Sequence, residues 1–298
     1  MKQNRDMGNS FITGIIKISG YSSIVFVTLI LIFLLREGLP ALFNVPLKEL
    51  FSTIWYPIEG YFGIMPLLLG TLLVTAVAIL IALPFGICTA VYLSEIAPKW
   101  VKGILKPVVE ILAGIPSVVL GFIGILVLVP FMRTFFNLPT GLTGLTGAIL
   151  LGLIAIPTVV SIAEDALNTV PDGYRQAALA LGATKWQTIW GVTLPAAKTG
   201  VLTAVMLGVG RAIGETMAVM MVTGNAPVMP TRFDSILGPL RTMTATIASE
   251  MGEVATGSAH YEVLFFIGIV LFLLSLVINI AASSVSMRQR QRSERILS

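Results

Sequence analysis

Charge is what this chain has least of. Only 11% of its 298 residues are Asp, Glu, Lys or Arg, against about 25% in a soluble domain. With 56% hydrophobic residues and a mean hydropathy of +0.93, it has too little polar surface to cover a globule in water. That excludes an ordinary cytosolic enzyme, a disordered chain and a disulfide-knit secreted module. One cysteine, Cys88, permits no internal disulfide and no cysteine metal site. It reads as a small buried apolar residue. One histidine, His260, leaves no two-histidine metal motif and no relay of several histidines. It is expected at the membrane interface.

What is present is length without charge. Uncharged runs cover Ile18–Leu35, Gly60–Ser94, Ile111–Met132, Thr134–Ala163 and Val263–Met287. The run from Thr199 to Thr231 is interrupted only by Arg211 and Glu215. A crossing needs about 20 apolar residues, and lipid demands that the backbone satisfy itself. The sequence therefore predicts an all-α membrane protein of six transmembrane helices, near 15–36, 66–93, 109–132, 144–164, 197–224 and 261–286. The first run follows Lys2 and Arg5 but lacks a small-residue cleavage site, so it reads as an uncleaved anchor. Residues 1–65 are expected as an anchor helix with the first outer loop, 66–286 as the transmembrane core, and 287–298 as a basic tail. With the amino terminus inside, thirteen Lys and Arg lie on the inner side and five outside, which places both termini in the cytoplasm. The tail from Arg288 is then read as facing anionic lipid rather than nucleic acid.

Two outer connections are long. In 37–65, Trp55, Tyr56 and Tyr61 are expected at headgroup level. In 225–260, Met243, Ile247, Met251 and Val254 recur with helical spacing. They predict a short amphipathic helix that either dips into a pathway or caps the bundle.

The inner connection 165–196 is more ordered than a loop. Pro171 and Asp172 suit a helix start, Gln176–Ala183 is rich in helix formers, Gly182 breaks it, and Leu194-Pro195 leads into the fifth span. A helix–break–helix hairpin follows, with Trp186, Ile189 and Trp190 as apolar anchors. The alternative is an amphipathic helix resting on lipid, which an alanine-rich surface suits poorly. The pattern Gln-Ala-Ala-x3-Gly-x9-Val-x-Leu-Pro at 176–195 resembles the EAA motif of ABC importer permeases, with Gln176 and Val192 in place of glutamate and isoleucine. That resemblance implies a type I ABC importer permease fold. It also implies that Gln176, Ala177, Ala178, Leu181, Gly182, Ala183 and Trp186 contact a separate ATPase. The sequence holds no Gly-x4-Gly-Lys-Ser/Thr loop, and Lys198-Thr199 follows Ala197 instead of glycine. The chain is thus expected to be no enzyme and to hold no cofactor; ATP and magnesium belong to the partner.

Arg211 lies deep in the fifth span, where insertion costs roughly 2.5–3.5 kcal/mol. Glu215 follows at i+4, so a continuous helix would put both on one face. Gly210 and Gly214 would allow another backbone to approach closely. A guanidinium partly balanced by a carboxylate suits reversible binding of an oxyanion; the other reading is a locked structural ion pair. Gly210–Val219, with Gly114–Val119 and Met243–Ile247, resembles the PstC-type permeases of bacterial phosphate importers. The resemblance implies phosphate passage by alternating access, with Arg211 and Glu215 in the pathway. The partners it implies are a PstA-like permease, a PstB-like ATPase dimer and a PstS-like extracytoplasmic binding protein, in the bacterial inner membrane. Ser117 and Thr216 either line that pathway or bond back to a carbonyl. Glu110 is either a pathway group or a solvated residue at the inner headgroups, and Pro116 is expected to kink the third span. A permease for sulfate, molybdate or phosphonate remains the near alternative. An intramembrane protease or lipid phosphotransferase is the far one, although the sequence supplies neither nucleophile with base nor metal cluster at membrane depth.

Overall fold

The computed structural model describes the backbone of residues 2–297 and the side chains of residues 13–280. The basic tail's side chains lie outside the described residues. Among the described residues six helices are long and apolar enough to cross a membrane. In chain order the helices are α1 (Lys2–Gly38), α2 (Met65–Ile96), α3 (Lys99–Gly114), α4 (Ser117–Phe135), α5 (Gly144–Asn168), α6 (Asp172–Ala180), α7 (Lys185–Gly214), α8 (Met217–Val222), α9 (Met243–Glu250) and α10 (Ala259–Leu297). Wide π turns at Tyr92–Ile96, Gly124–Leu128 and Ile189–Thr193 lie within α2, α4 and α7.

Helix α5 is the hub, packing on α2, α3, α7 and α8. Its faces carry the small or branched residues Gly147, Ala148, Gly152, Ala155 and Val159, which let neighbouring backbones approach. By contrast α1 packs on α10, with Phe33 edge-on to Phe265, and its apolar stretch is otherwise exposed.

The described buried residues form four clusters, one of them Leu150, Ile154, Ala218 and Val222 where α5 meets α8. At the end that carries the 37–65 connection Leu50, Trp55, Phe62, Ile64, Leu67, Met243, Leu264 and Ile267 cluster. Val74, Ala78, Ala148, Leu151, Ala212 and Val219 form the middle. Ala90, Ala163, Leu167, Ile189, Ala197 and Ala204 form the layer beside the 165–196 connection.

Several expectations need correction. The third span begins at Ser117, not 109, and α3 is a separate helix before it. Pro116 does more than kink the chain: Ile115 is extended (φ −66°, ψ 129°), so the helix ends. A residue preceding proline is driven out of the helical region, and proline offers no N–H to continue the ladder. The fifth span also breaks, at Glu215 (φ −69°, ψ 129°). Trp55 is 4% exposed and packed inside a buried cluster instead of facing outward. Cys88 is exposed, because α2 buries the opposite face through Ala78, Ala82, Gly86 and Ala90. The expected outer amphipathic helix is α9, with Met243 in the core and Ile247, Met251 and Val254 packed against it. Gly70 makes that docking feasible, since a Cβ there would collide with the Arg241 carbonyl.

Candidate transport site and docking hairpin

Two interrupted spans meet at the middle of the bundle. On the far side of the breaks, α8 packs on α4 and α5 through Ala218 and Val222. On the near side, Arg211 in the last turn of α7 reaches across to two other helices. Its Nη1 donates to Thr158 Oγ1 of α5 at 3.0 Å, and its Nη2 donates to the Ala113 carbonyl of α3 at 3.3 Å. That carbonyl is one that the Pro116 break leaves without its usual helical partner. A cation there also suits the negative end of the α3 dipole.

Glu215 does not join Arg211. The helix stops at Gly214, so the i+4 geometry that would have put them on one face is lost. Glu215 Oε1 instead accepts from the backbone N–H groups of Thr216 at 3.1 Å and Ala218 at 3.3 Å. It is a carboxylate at the positive end of α8. Its backbone carbonyl accepts from Thr244 Oγ1 of α9 at 3.0 Å. The ion pair expected from spacing is therefore replaced by two caps, one at each break. Ser117 is half-buried at the start of α4, and Thr216 Oγ1 donates back to the Gly214 carbonyl at 3.2 Å. Glu110 is exposed.

The inner hairpin forms as α6 and the start of α7. Gly182 takes φ +83°, a left-handed turn that disfavours a side chain. Thr184 and Gln187 close a capping box that starts α7. Gln176, Ala177, Leu181 (89% exposed), Gly182 and Trp186 face outward, and Ala183 is half-buried. Ala178 and Ile189 turn inward instead, so they shape the hairpin's packing and offer no outward surface. Arg175 fastens α6 to the bundle. It donates to Glu95 (Nη2–Oε1 2.7 Å), to the carbonyls of Val170 and Leu167, and to Asp172. The hydrogen bond to Glu95 raises its pKa above the usual arginine range, against the opposing cost of burial. Among the described residues no group of three or more His, Cys, Asp or Glu is placed to hold a metal.

Residues 82–291 match the family described as "Binding-protein-dependent transport system inner membrane component". The chain belongs to that family. This permease is a multi-pass protein of the inner membrane, a transporter component and not an enzyme. It is 42% identical to the probable ABC transporter permease protein YqgH of Bacillus subtilis over 82% of this chain and 79% of the relative. It is 36% identical to the phosphate transport system permease protein PstC of Mesorhizobium japonicum over 80% and 77% of the two chains. Its fold matches a permease of the inward-facing MetNI methionine ABC transporter, with a TM-score of 0.59 and 21% identity, over 74% of this chain and 93% of that one. The permease thus has the type I ABC importer fold.

Sequence reading missed Thr158 and Ala113, the two groups that hold Arg211. Thr158 follows Pro157 in an apolar span and looked like one more helical threonine. Ala113 contributes only a carbonyl, which no side-chain pattern reveals. Also missed was the pair Lys106–Glu164 at 2.8 Å. Glu164 is 5% exposed, and its hydrogen bond raises the Lys106 pKa above the usual lysine range although burial opposes the shift. The signal was available: a carboxylate at the end of a span is costly unless paired.

Proposed function

We infer that this permease is the phosphate-conducting membrane subunit of an ATP-driven importer, and that Arg211 is the group that meets the anion. The observation that carries the site is the chemistry around the guanidinium. Its two acceptors, a threonine hydroxyl and a peptide carbonyl, are neutral, and the nearest acid in sequence is occupied elsewhere. A cation at this depth without a carboxylate attracts an anion more strongly than a paired one does. Both present acceptors are single hydrogen bonds that an oxyanion can replace with forked ones. Relatives named for phosphate transport, at 36% and 33% identity, favour phosphate over sulfate, molybdate or phosphonate.

The assembly is one copy of this chain with a PstA-like permease, two PstB-like ATPase subunits that bind ATP and magnesium, and a PstS-like binding protein. Both termini are cytoplasmic. The outward residues of the hairpin, Gln176, Ala177, Leu181, Gly182 and Trp186, dock on the ATPase, with Ala178 and Ala183 shaping that surface. ATP closes the ATPase pair, the hairpin moves, and the bundle opens outward to receive phosphate. Hydrolysis returns it inward. Ser117 and Thr216, at the two breaks, belong to the pathway along with Glu215.

A second reading has one observation in its favour. Arg211 caps the broken end of α3, which a purely architectural arginine would also do. Phosphate uptake by an assembled Arg211→Leu variant separates the two. Loss of uptake with normal subunit levels supports the transport role, and undiminished uptake overturns it.

A further inference from the structure

Glu164 is a buried carboxylate that the anion site does not use. It sits near the inner end of α5, with its side chain 7% exposed. Oε2 accepts from Lys106 Nζ of α3 at 2.8 Å, and Oε1 accepts from Asn168 Nδ2 at 2.8 Å. Asn168 Oδ1 accepts in turn from Ser94 Oγ of α2 at 2.9 Å. The Ser94 carbonyl takes Lys102 Nζ of α3 at 2.9 Å, and the adjoining Glu95 holds Arg175 of the docking hairpin. Hydrogen bonds therefore run from Ser94 of α2 through Asn168 and Glu164 to Lys106 of α3, and the peptide bond from Ser94 to Glu95 joins them to Arg175 of α6.

Helix α3 is set off from its neighbours in the chain. Proline 98 bounds it on one side and the Ile115–Pro116 break on the other, and none of its residues is buried. It is a helix interrupted from its neighbours at both ends, with Pro107 inside it removing one ladder hydrogen bond. Its side-chain polar ties are Lys102 and Lys106, and its last turn offers the Ala113 carbonyl to Arg211. Polar ties of this kind can exchange partners, whereas an interdigitated apolar contact must be unpacked.

We propose that Glu164 is a positioning residue for transport: through Lys106 it ties α3 to the docking hairpin, so that movement of the hairpin displaces the Ala113 carbonyl from Arg211. The far end of this lever rests on the role inferred above for Arg211.

The test uses the whole transporter in proteoliposomes, with both permeases, the ATPase and the binding protein, and reads phosphate taken up per ATP hydrolysed. Glu164→Gln keeps the acceptor for Asn168 and removes the closer of the two carboxylates on Lys106, the other being Asp165 at 3.3 Å. Hydrolysis is expected to stay within about twofold of the parent while phosphate per ATP falls at least about fivefold, the lower range of coupling between sites. Lys106→Met is expected to do the same, and Lys106→Arg to retain the parent ratio. Should Glu164→Gln fail to assemble, Lys106→Met decides, because the lysine side chain is 41% exposed and its loss leaves no cavity. An unchanged ratio overturns the proposal. So does a proportional fall of hydrolysis and uptake together, which marks a merely structural tie. Failure of the Arg211 assignment would show separately, as uptake retained in Arg211→Leu.

Discussion

The two broken spans are broken for different reasons. The break before α4 is enforced covalently, since Pro116 has no N–H to give and drives Ile115 out of the helical region. Its loose carbonyl is served from another helix, by Arg211. The break before α8 contains no proline. It follows Gly214 and is held by Glu215 reaching forward to the first N–H groups of the new helix, with Thr244 taking its carbonyl. The first interruption therefore persists whatever binds, while its cap can leave. The second depends on one carboxylate staying where it is. A fixed hinge with a removable cap beside a hinge made of the cap itself is a division of labour that suits a site which must open in two directions.

The comparison can be broken in order of expected effect. Arg211→Leu removes a charged donor from both its partners, and hydrogen bonds to charged groups contribute about 1.5–3 kcal/mol, so phosphate uptake should fall about ten- to a hundredfold at equal subunit levels. Pro116→Ala restores an N–H and lets α3 run into α4; uptake should fall about tenfold, and hydrogen exchange at residues 114–118 should slow as the helix closes. Glu215→Ala leaves α8 without its cap, at a cost of about 0.5–2 kcal/mol, so thermal stability should drop and the α8 amides should exchange faster. Glu215→Gln keeps an acceptor and should recover most of that stability. Thr158→Val takes one of two acceptors from Arg211 and leaves the charge and the Ala113 carbonyl in place, so only part of the loss is expected and uptake should fall about two- to tenfold. If Thr158→Val proves as severe as Arg211→Leu, the arginine's cap rather than its charge is what transport needs.

How much of this was legible in the sequence follows the same division. The six crossings were readable because hydropathy over about 20 residues is a bulk property. The hairpin was readable because its breaker, Gly182, and its caps are local. Pro116 announced the first break, though its separation of α3 into an independent helix was not foreseen. Nothing local announced the second: Glu215 at i+4 from Arg211 reads as a pair on one face until the helix between them is seen to end. Spacing arguments assume a continuous helix, and that assumption fails where α7 ends at Gly214. Thr158 and the Ala113 carbonyl were invisible for a related reason, since each matters only through a helix distant in sequence.

Trp55 is buried beside His260, with ring centroids 5.9 Å apart, and donates to Glu250 at one end of the bundle. Trp100, Trp186 and Trp190 are exposed at the opposite end. The chain's four tryptophans thus divide into a shielded fluorophore on one face and a quencher-accessible set on the other. In the isolated permease iodide should quench the exposed set more than Trp55, and covering Trp186 with a docked ATPase should lower that quenching.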